Sequence, residues 1–284
     1  MHVAGPAPGP APTAVAAYDG LATQWQKGAA NVYGPLATAL VAASPVPLRG
    51  RLVLDAGSGT GAVARAAAAS GAVVVAAERS LTMVSHQCRQ PWPAVAADVL
   101  ALPFRDGAFD ATLAGFLVNH MAPGLALAEL ARVVGPGGVV LTSTWAADGP
   151  DPVKAAIDQV MACWGWTSPA WYRRMKEEVL PISGSPSRLT EAAKQVGLID
   201  VTASVCRVDL GLRDSAQVVA YRMTLPHTAA WVATLDDTTR NEVTRQAQAA
   251  VAGHVAGWRP AMIVLAGRAS GQDRSRPELQ PPSG

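Results

Sequence analysis

Residues 52–64 read LVLDAGSGTGAVA. Leu52, Val53 and Leu54 are branched apolar residues suited to a buried strand, and Asp55 follows them directly. Gly57, Gly59 and Gly61 then remove Cβ atoms from the next turn, which permits positive φ and lets a bound group lie against bare backbone. An alanine-rich helix begins straight afterwards. An acid at the mouth of a buried strand, followed by a glycine turn into a helix N-terminus, marks a ligand-binding βα junction.

Outward from this junction, short Val/Leu-rich runs alternate with helical stretches. Strands are expected at 51–55, 73–78, 94–97, 109–115 and 138–144, with helices near 61–69, 81–88 and 124–134. A helix over 17–43 precedes them. Continuous apolar strands alternating with helices require a parallel sheet covered on both faces. After Trp145 the rhythm changes to helices at 151–180, then a helix with Ser187 as N-cap and Gly197 at its end, then a strand at 199–210. Helices over 214–254 lead to a last strand at 260–267. The expected fold is α/β, a doubly wound, Rossmann-like, seven-stranded and mostly parallel sheet. A single domain at 17–269 carries helical lid insertions at 148–186 and 213–257, between disordered tails at 1–16 and 270–284.

Composition narrows the function classes. Of 284 residues half are hydrophobic and 15% charged, largely because Ala and Val are abundant. No apolar run reaches the roughly 18 uninterrupted residues that a membrane span needs. A formal charge of +2 without a basic stripe argues against nucleic acid as partner. Cys88, Cys163 and Cys206 are too dispersed for a disulfide framework or a metal site, so no metal is expected and a cytoplasmic location is the default.

The glycine turn alone admits two ligands. Gly57-x-Gly59-x-x-Ala62 satisfies a dinucleotide pattern and would suit NAD in an oxidoreductase. Gly57-x-Gly59-x-Gly61 behind Asp55 also satisfies the pattern of S-adenosyl-L-methionine (SAM) sites. Glu78, at the end of the second strand, accepts a ribose diol in either case.

Further along, residues 96–110 read AADVLALPFRDGAFD and residues 129–138 read ELARVVGPGG. With these the stretch 17–145 closely resembles the class I SAM-dependent methyltransferases, especially the small-molecule group that includes ubiquinone/menaquinone-type enzymes. The resemblance implies SAM as cofactor, and it implies roles for residues at matching positions. Asp55, Ala56, Gly57, Ser58, Gly59 and Gly61 stand for the first motif, with Asp55 near the methionine amino group. Glu78 stands for the second motif and takes the ribose, while Asp98 and the amide of Val99 face adenine. Arg79 and Met83 flank the ring, and Phe116 borders the methyl group. Tyr18 and Trp25 lie in a YDGLATQWQ segment similar to the family's closing helix, with Trp25 in place of its usual second tyrosine.

For the acceptor end, His120 in GFLVNHM follows the fourth strand and is the candidate catalytic base, or else a loop-holding residue. Trp164, Trp166, Trp171 and Tyr172 fall within nine residues of the first insertion and suit a bulky apolar or aromatic small-molecule substrate, or a lid anchor. His227, in the second insertion, is a further candidate for lining the substrate site. The expected activity is methyl transfer to an O or C acceptor of a secondary metabolite. A SAM-binding protein with a non-methylating reaction such as cyclisation remains the alternative.

Overall fold

The computed structural model describes residues 16–147, 149 and 151–270. The tails expected at 1–16 and 270–284 therefore lie outside the described residues, Ala16 and Ser270 excepted.

Seven strands form one sheet: β1 Leu52–Ala56, β2 Val73–Glu78, β3 Ala94–Ala96, β4 Phe109–Gly115, β5 Val134–Trp145, β6 Leu198–Arg207 and β7 Ala261–Ala269. Their order is β3-β2-β1-β4-β5-β7-β6, with β7 antiparallel to both neighbours and the other pairings parallel. The strand order reverses between β1 and β4, so the crevice at their carboxyl ends is the topological switch point. The glycine turn after Asp55 opens into that crevice.

The helices are α1 Ala22–Lys27, α2 Ala29–Ala42, α3 Ala62–Ala69, α4 Leu81–Gln87, α5 Pro123–Arg132 and α6 Pro152–Cys163. They continue as α7 Ala170–Arg174, a π turn at Met175–Val179, α8 Leu180–Ser183 and α9 Pro186–Gln195. The second insertion holds α10 Ser215–Met223, α11 Pro226–Val232 and α12 Asp237–Val251. Alternation along the strands feeds two cores. Val53, Leu113 and Leu141 pack with Leu36 and Leu40 of α2 on one face. Leu54, Ala114 and Val140 pack with Leu127 and Leu130 of α5 and Leu189 of α9 on the other.

Three local expectations are corrected. The single helix expected over 17–43 is a short 3-10 turn, α1 and α2, broken at Gly28. A Cβ on Gly28 would lie 2.4 Å from the carbonyl oxygen of Ala220 in α10, so this glycine is where the second insertion presses on the N-terminal helices. The helix expected to start at Ser187 is instead capped by Ser185, with Pro186 in the first helical position, where its missing N–H costs nothing. The fifth strand, expected at 138–144, begins at Val134 and takes in the PGG element. The element forms a bulge between the Phe109–Val134 and Ala111–Val139 pairs, because Gly137 takes φ +71° and β4 backbone packs where a Gly138 side chain would be.

The LPF and RV motifs are explained by one clamp. Arg132 donates from Nη2 to Leu102 O at 3.0 Å and from Nη1 to Phe104 O at 2.8 Å, while Glu129 Oε1 accepts from Leu102 N at 2.7 Å. The guanidinium is itself paired with Glu129 and Asp106. Arg132→Ala removes the donor from two carbonyls, Leu102 and Phe104, and from two carboxylates, Glu129 and Asp106. It should lower unfolding free energy by about 2–3 kcal/mol, read from urea midpoints at unchanged slope. A change below about 0.5 kcal/mol would mean that the loop holds itself.

Candidate functional site

The residues expected to hold a cofactor come together in one cavity at the switch point. Its lining includes Tyr18, Trp25, Asp55, Gly57, Ser58, Gly59, Glu78, Arg79, Met83, Asp98, Val99, Phe116 and His120. Ala56 and Gly61 do not line it. Ala56 is fully buried as the last residue of β1, and Gly61, at φ +87°, turns the chain into α3.

The glycine loop has a built shape. Gly57 and Gly59 both adopt positive φ, and space is open where a Gly59 side chain would stand. Glu78 Oε2 accepts from Gly59 N at 2.9 Å and Oε1 accepts from Ser80 N at 2.9 Å, which draws the end of β2 against the loop. Gln87 holds the other side. Its Nε2 donates to Ser58 Oγ at 2.8 Å and Gly59 O at 2.7 Å, and its Oε1 accepts from Trp92 Nε1 at 3.0 Å. Nothing local to Gln87 distinguishes it from other polar residues on an exposed-looking helix, so the sequence gives no sign of this role.

Asp55 is fully buried at the end of β1. One oxygen, Oδ2, accepts from Ala64 N at 2.8 Å, and the other, Oδ1, has no partner among the described residues. Burial raises its pKa to about 7, against the lowering effect of the Ala64 N–H, and the nearby Glu78 charge adds to the rise. An orphaned carboxylate oxygen aimed into a cavity calls for a cationic or hydrogen-bond-donating ligand group. That demand fits the ammonium of a SAM molecule. Together with the bare Gly59 backbone and Glu78, it makes these residues a fitting cradle for the cofactor.

Phe116 is one of two non-glycine residues with positive φ among those described, at 55°. Such a conformation costs on the order of 1–3 kcal/mol and persists only where surroundings enforce it. Here Phe116 N donates to Ser143 O at 2.9 Å, and the ring is wedged against Trp145 at 4.4 Å and Tyr33 at 5.1 Å.

A second cavity, of about 270 Å³, lies beyond Tyr18, Tyr33 and His120, which line both. Trp171, Tyr172 and His227 line this second cavity, with Tyr172 and His227 stacked at 3.9 Å and 2° between planes. Trp164 and Trp166 do not line it and are corrected from substrate-lining positions to ties between the insertions. Trp164 Nε1 donates to Gln246 Oε1 at 3.0 Å, and Trp166 Nε1 donates to His227 O at 3.1 Å. Indole N–H groups require partners when packed, and here the partners come from the other insertion. Trp145, Lys154, Tyr221 and Arg222 also line this cavity without having been expected there. Trp145 had one usable signal, its place at the carboxyl end of a strand beside the switch point.

His120 is enclosed. Its Nε2 lies 3.0 Å from the Tyr18 hydroxyl and 3.2 Å from Asn119 Nδ2, while Nδ1 has no partner. Assigning Nε2 as acceptor for these two donors puts the ring proton on Nδ1. Burial lowers its pKa to about 4, so the ring is neutral near pH 7. That is well below the ordinary histidine value of 6.5. His227 is likewise lowered, by burial first and then by the positive charges of Arg222 and Lys176. Among the described residues no cluster of His, Cys, Asp and Glu could hold a metal ion, and no helix is long and apolar enough to cross a membrane.

Comparison with known proteins places this geometry. Residues 54–142 match the family model of a methyltransferase domain. A demethylmenaquinone methyltransferase of Corynebacterium kroppenstedtii is 42% identical over 93 residues, covering 32% of this chain and 41% of the relative. A malonyl-[acyl-carrier protein] O-methyltransferase of Erwinia billingiae is 38% identical over 116 residues, covering 38% of this chain and 44% of the relative. The chain thus spans about two fifths of the length of the curated relatives it matches. In fold it is similar to phosphoethanolamine N-methyltransferase 2 of Haemonchus contortus, solved with phosphomonomethylethanolamine and S-adenosylhomocysteine. The TM-score is 0.53 at 16% identity, over 83% of this chain and 52% of that one. The matched segment holds the glycine junction, and the seven-stranded sheet around it is similar in fold to that of a SAM-dependent methyltransferase.

Proposed function

We propose that the protein transfers a methyl group from SAM to an O or C acceptor on a small aromatic metabolite. The observation that carries this reading is the pair of adjoining cavities. One is lined by the cofactor motifs and the other by rings, with Tyr18, Tyr33 and His120 on the wall they share.

When bound, SAM supplies a methyl carbon on a cationic sulfonium, which passes to the acceptor as the carbon–sulfur bond breaks. Asp55 would hold the methionine ammonium, Gly57 and Gly59 the methionine end, Glu78 the ribose diol, and Asp98 with Val99 N the adenine. Phe116, Tyr33 and Trp145 form an apolar border that keeps water from the junction, where alignment supplies much of the rate enhancement. His120 stays uncharged there and adds no repulsion to the cationic centre. Its Nε2, 3.0 Å from the Tyr18 hydroxyl, holds that hydroxyl on the shared wall.

The test is calorimetric titration with S-adenosylhomocysteine (SAH), with NAD in parallel, followed by a methylation assay over phenolic and other aromatic acceptors. Micromolar SAH affinity, no response to NAD, and SAH production with at least one acceptor are expected. NAD binding without SAH binding would overturn the cofactor. SAH binding without turnover on any acceptor would favour the non-methylating alternative.

A further inference from the structure

The second cavity is walled by rings but also carries ionised groups, and these are not evenly matched. Arg222 is buried and held by Asp158 in a fork, Nε to Oδ1 at 2.7 Å and Nη2 to Oδ2 at 2.5 Å. Asp151 is committed as well. Its Oδ1 accepts from Val153 N at 3.1 Å and Lys154 N at 3.0 Å at the start of α6, and its Oδ2 accepts from Trp258 Nε1 at 2.8 Å.

Lys154 is held loosely, in an ion pair with Asp151. Its Nζ comes no closer than 3.8 Å to Asp151 and otherwise sits over the Trp145 ring, 3.9 Å from the centroid. It makes no hydrogen bond among the described residues. An ammonium carries three donors, and leaving them unmade in a half-buried site is costly. Burial, only partly opposed by Asp151, lowers the Lys154 pKa to about 8, and the charges of Arg222 and Lys176 push the same way. Lys176, exposed at the rim with Nζ 5.1 Å from the Tyr172 ring centroid, adds charge of the same sign.

The position of this loosely held charge is informative. Lys154 lines the second cavity and not the first, whereas Tyr18 and His120 line both. A molecule with its reacting atom at the Tyr18–His120 wall therefore has its far end available to Lys154, with Tyr33, Tyr172 and His227 along its length.

We propose that the methyl acceptor is an aromatic carboxylic acid whose carboxylate pairs with Lys154 while its ring lies among Tyr33, Tyr172 and His227. One half-buried ammonium, already loosely paired with Asp151, suits a single carboxylate at this end of the cavity. The proposal rests on the methyl-transfer reading of the same site.

The test titrates wild-type protein, with and without SAH, with benzoate, 4-hydroxybenzoate and 4-hydroxycinnamate and with the primary amide of each. Each acid should bind at least about tenfold more tightly than its amide, as expected for a charge-assisted bond in a half-buried site. Lys154→Met should bring that preference within about twofold without weakening amide binding, and Lys154→Arg should retain it. Acids that bind no better than their amides to the wild type overturn the proposal, as does a preference that survives in Lys154→Met. The SAH titration on the same samples separates the two failures. Loss of SAH binding overturns the methyltransferase reading, whereas SAH binding without acid preference overturns only the carboxylate assignment.

Discussion

Replacing Glu78 by alanine should weaken SAH binding by about 10- to 150-fold, equivalent to about 1.5–3 kcal/mol for hydrogen bonds to a charged group. Glu78 ends β2 on the floor of the cofactor cavity, and its two oxygens already anchor Gly59 N and Ser80 N at 2.9 Å each. Each oxygen keeps lone pairs for a ribose diol, because a carboxylate accepts about four hydrogen bonds. The alanine variant loses both the diol contact and the anchoring of the loop. A 2′-deoxyribose analogue of SAH separates the two. Wild type should prefer SAH to the analogue, and Glu78→Ala should bind both alike. Equal affinity of the wild type for both would show that Glu78 acts only as a strut for Gly59.

The second large effect is a pH dependence set by Asp55. With its pKa raised to about 7 by burial, the free protein holds Asp55 protonated below neutrality. A cationic ammonium beside Oδ1 favours the ionised form, so the liganded pKa lies lower. Between the two values binding must release a proton, and affinity rises with pH by up to tenfold per unit, levelling above pH 7. From pH 7.5 down to pH 5.5, SAH affinity should fall by about 10- to 30-fold. His120, at about 4, stays neutral throughout this window. Calorimetry in two buffers of different ionisation enthalpy should register the released proton below pH 7. Asp55→Asn should flatten the profile and hold affinity near the low-pH level. A flat wild-type profile would confine Asp55 to its bond with Ala64 N at the start of α3.

The two halves of the molecule differ in how far the sequence could be read. Around β1 the signals are local. Three apolar residues, an acid and three spaced glycines require a particular backbone whatever surrounds them, so the junction and the parallel strands follow from the residues themselves. The same holds for Glu78 and Asp98, whose distance from the junction is set by the length of a βα unit. Beyond Trp145 the decisive contacts join residues far apart in the chain. Trp166 meets His227 O, Arg222 meets Asp158, and Trp258 meets Asp151. A cluster of aromatics announces burial but not the partner, and here it divides between cavity wall and inter-insertion ties.

What the sequence by itself determined was the cofactor half: strand alternation, the glycine turn and the acids at strand ends, each dictated by short-range backbone geometry. Only the tertiary structure decided the acceptor half. It broke the N-terminal helix at Gly28 to admit α10, lowered His120 to about 4 by enclosing it, and left Lys154 with no hydrogen bond among the described residues and its carboxylate partner, Asp151, at 3.8 Å. Burial and charge pairing belong to the packed arrangement of several segments. No short window of residues carries them.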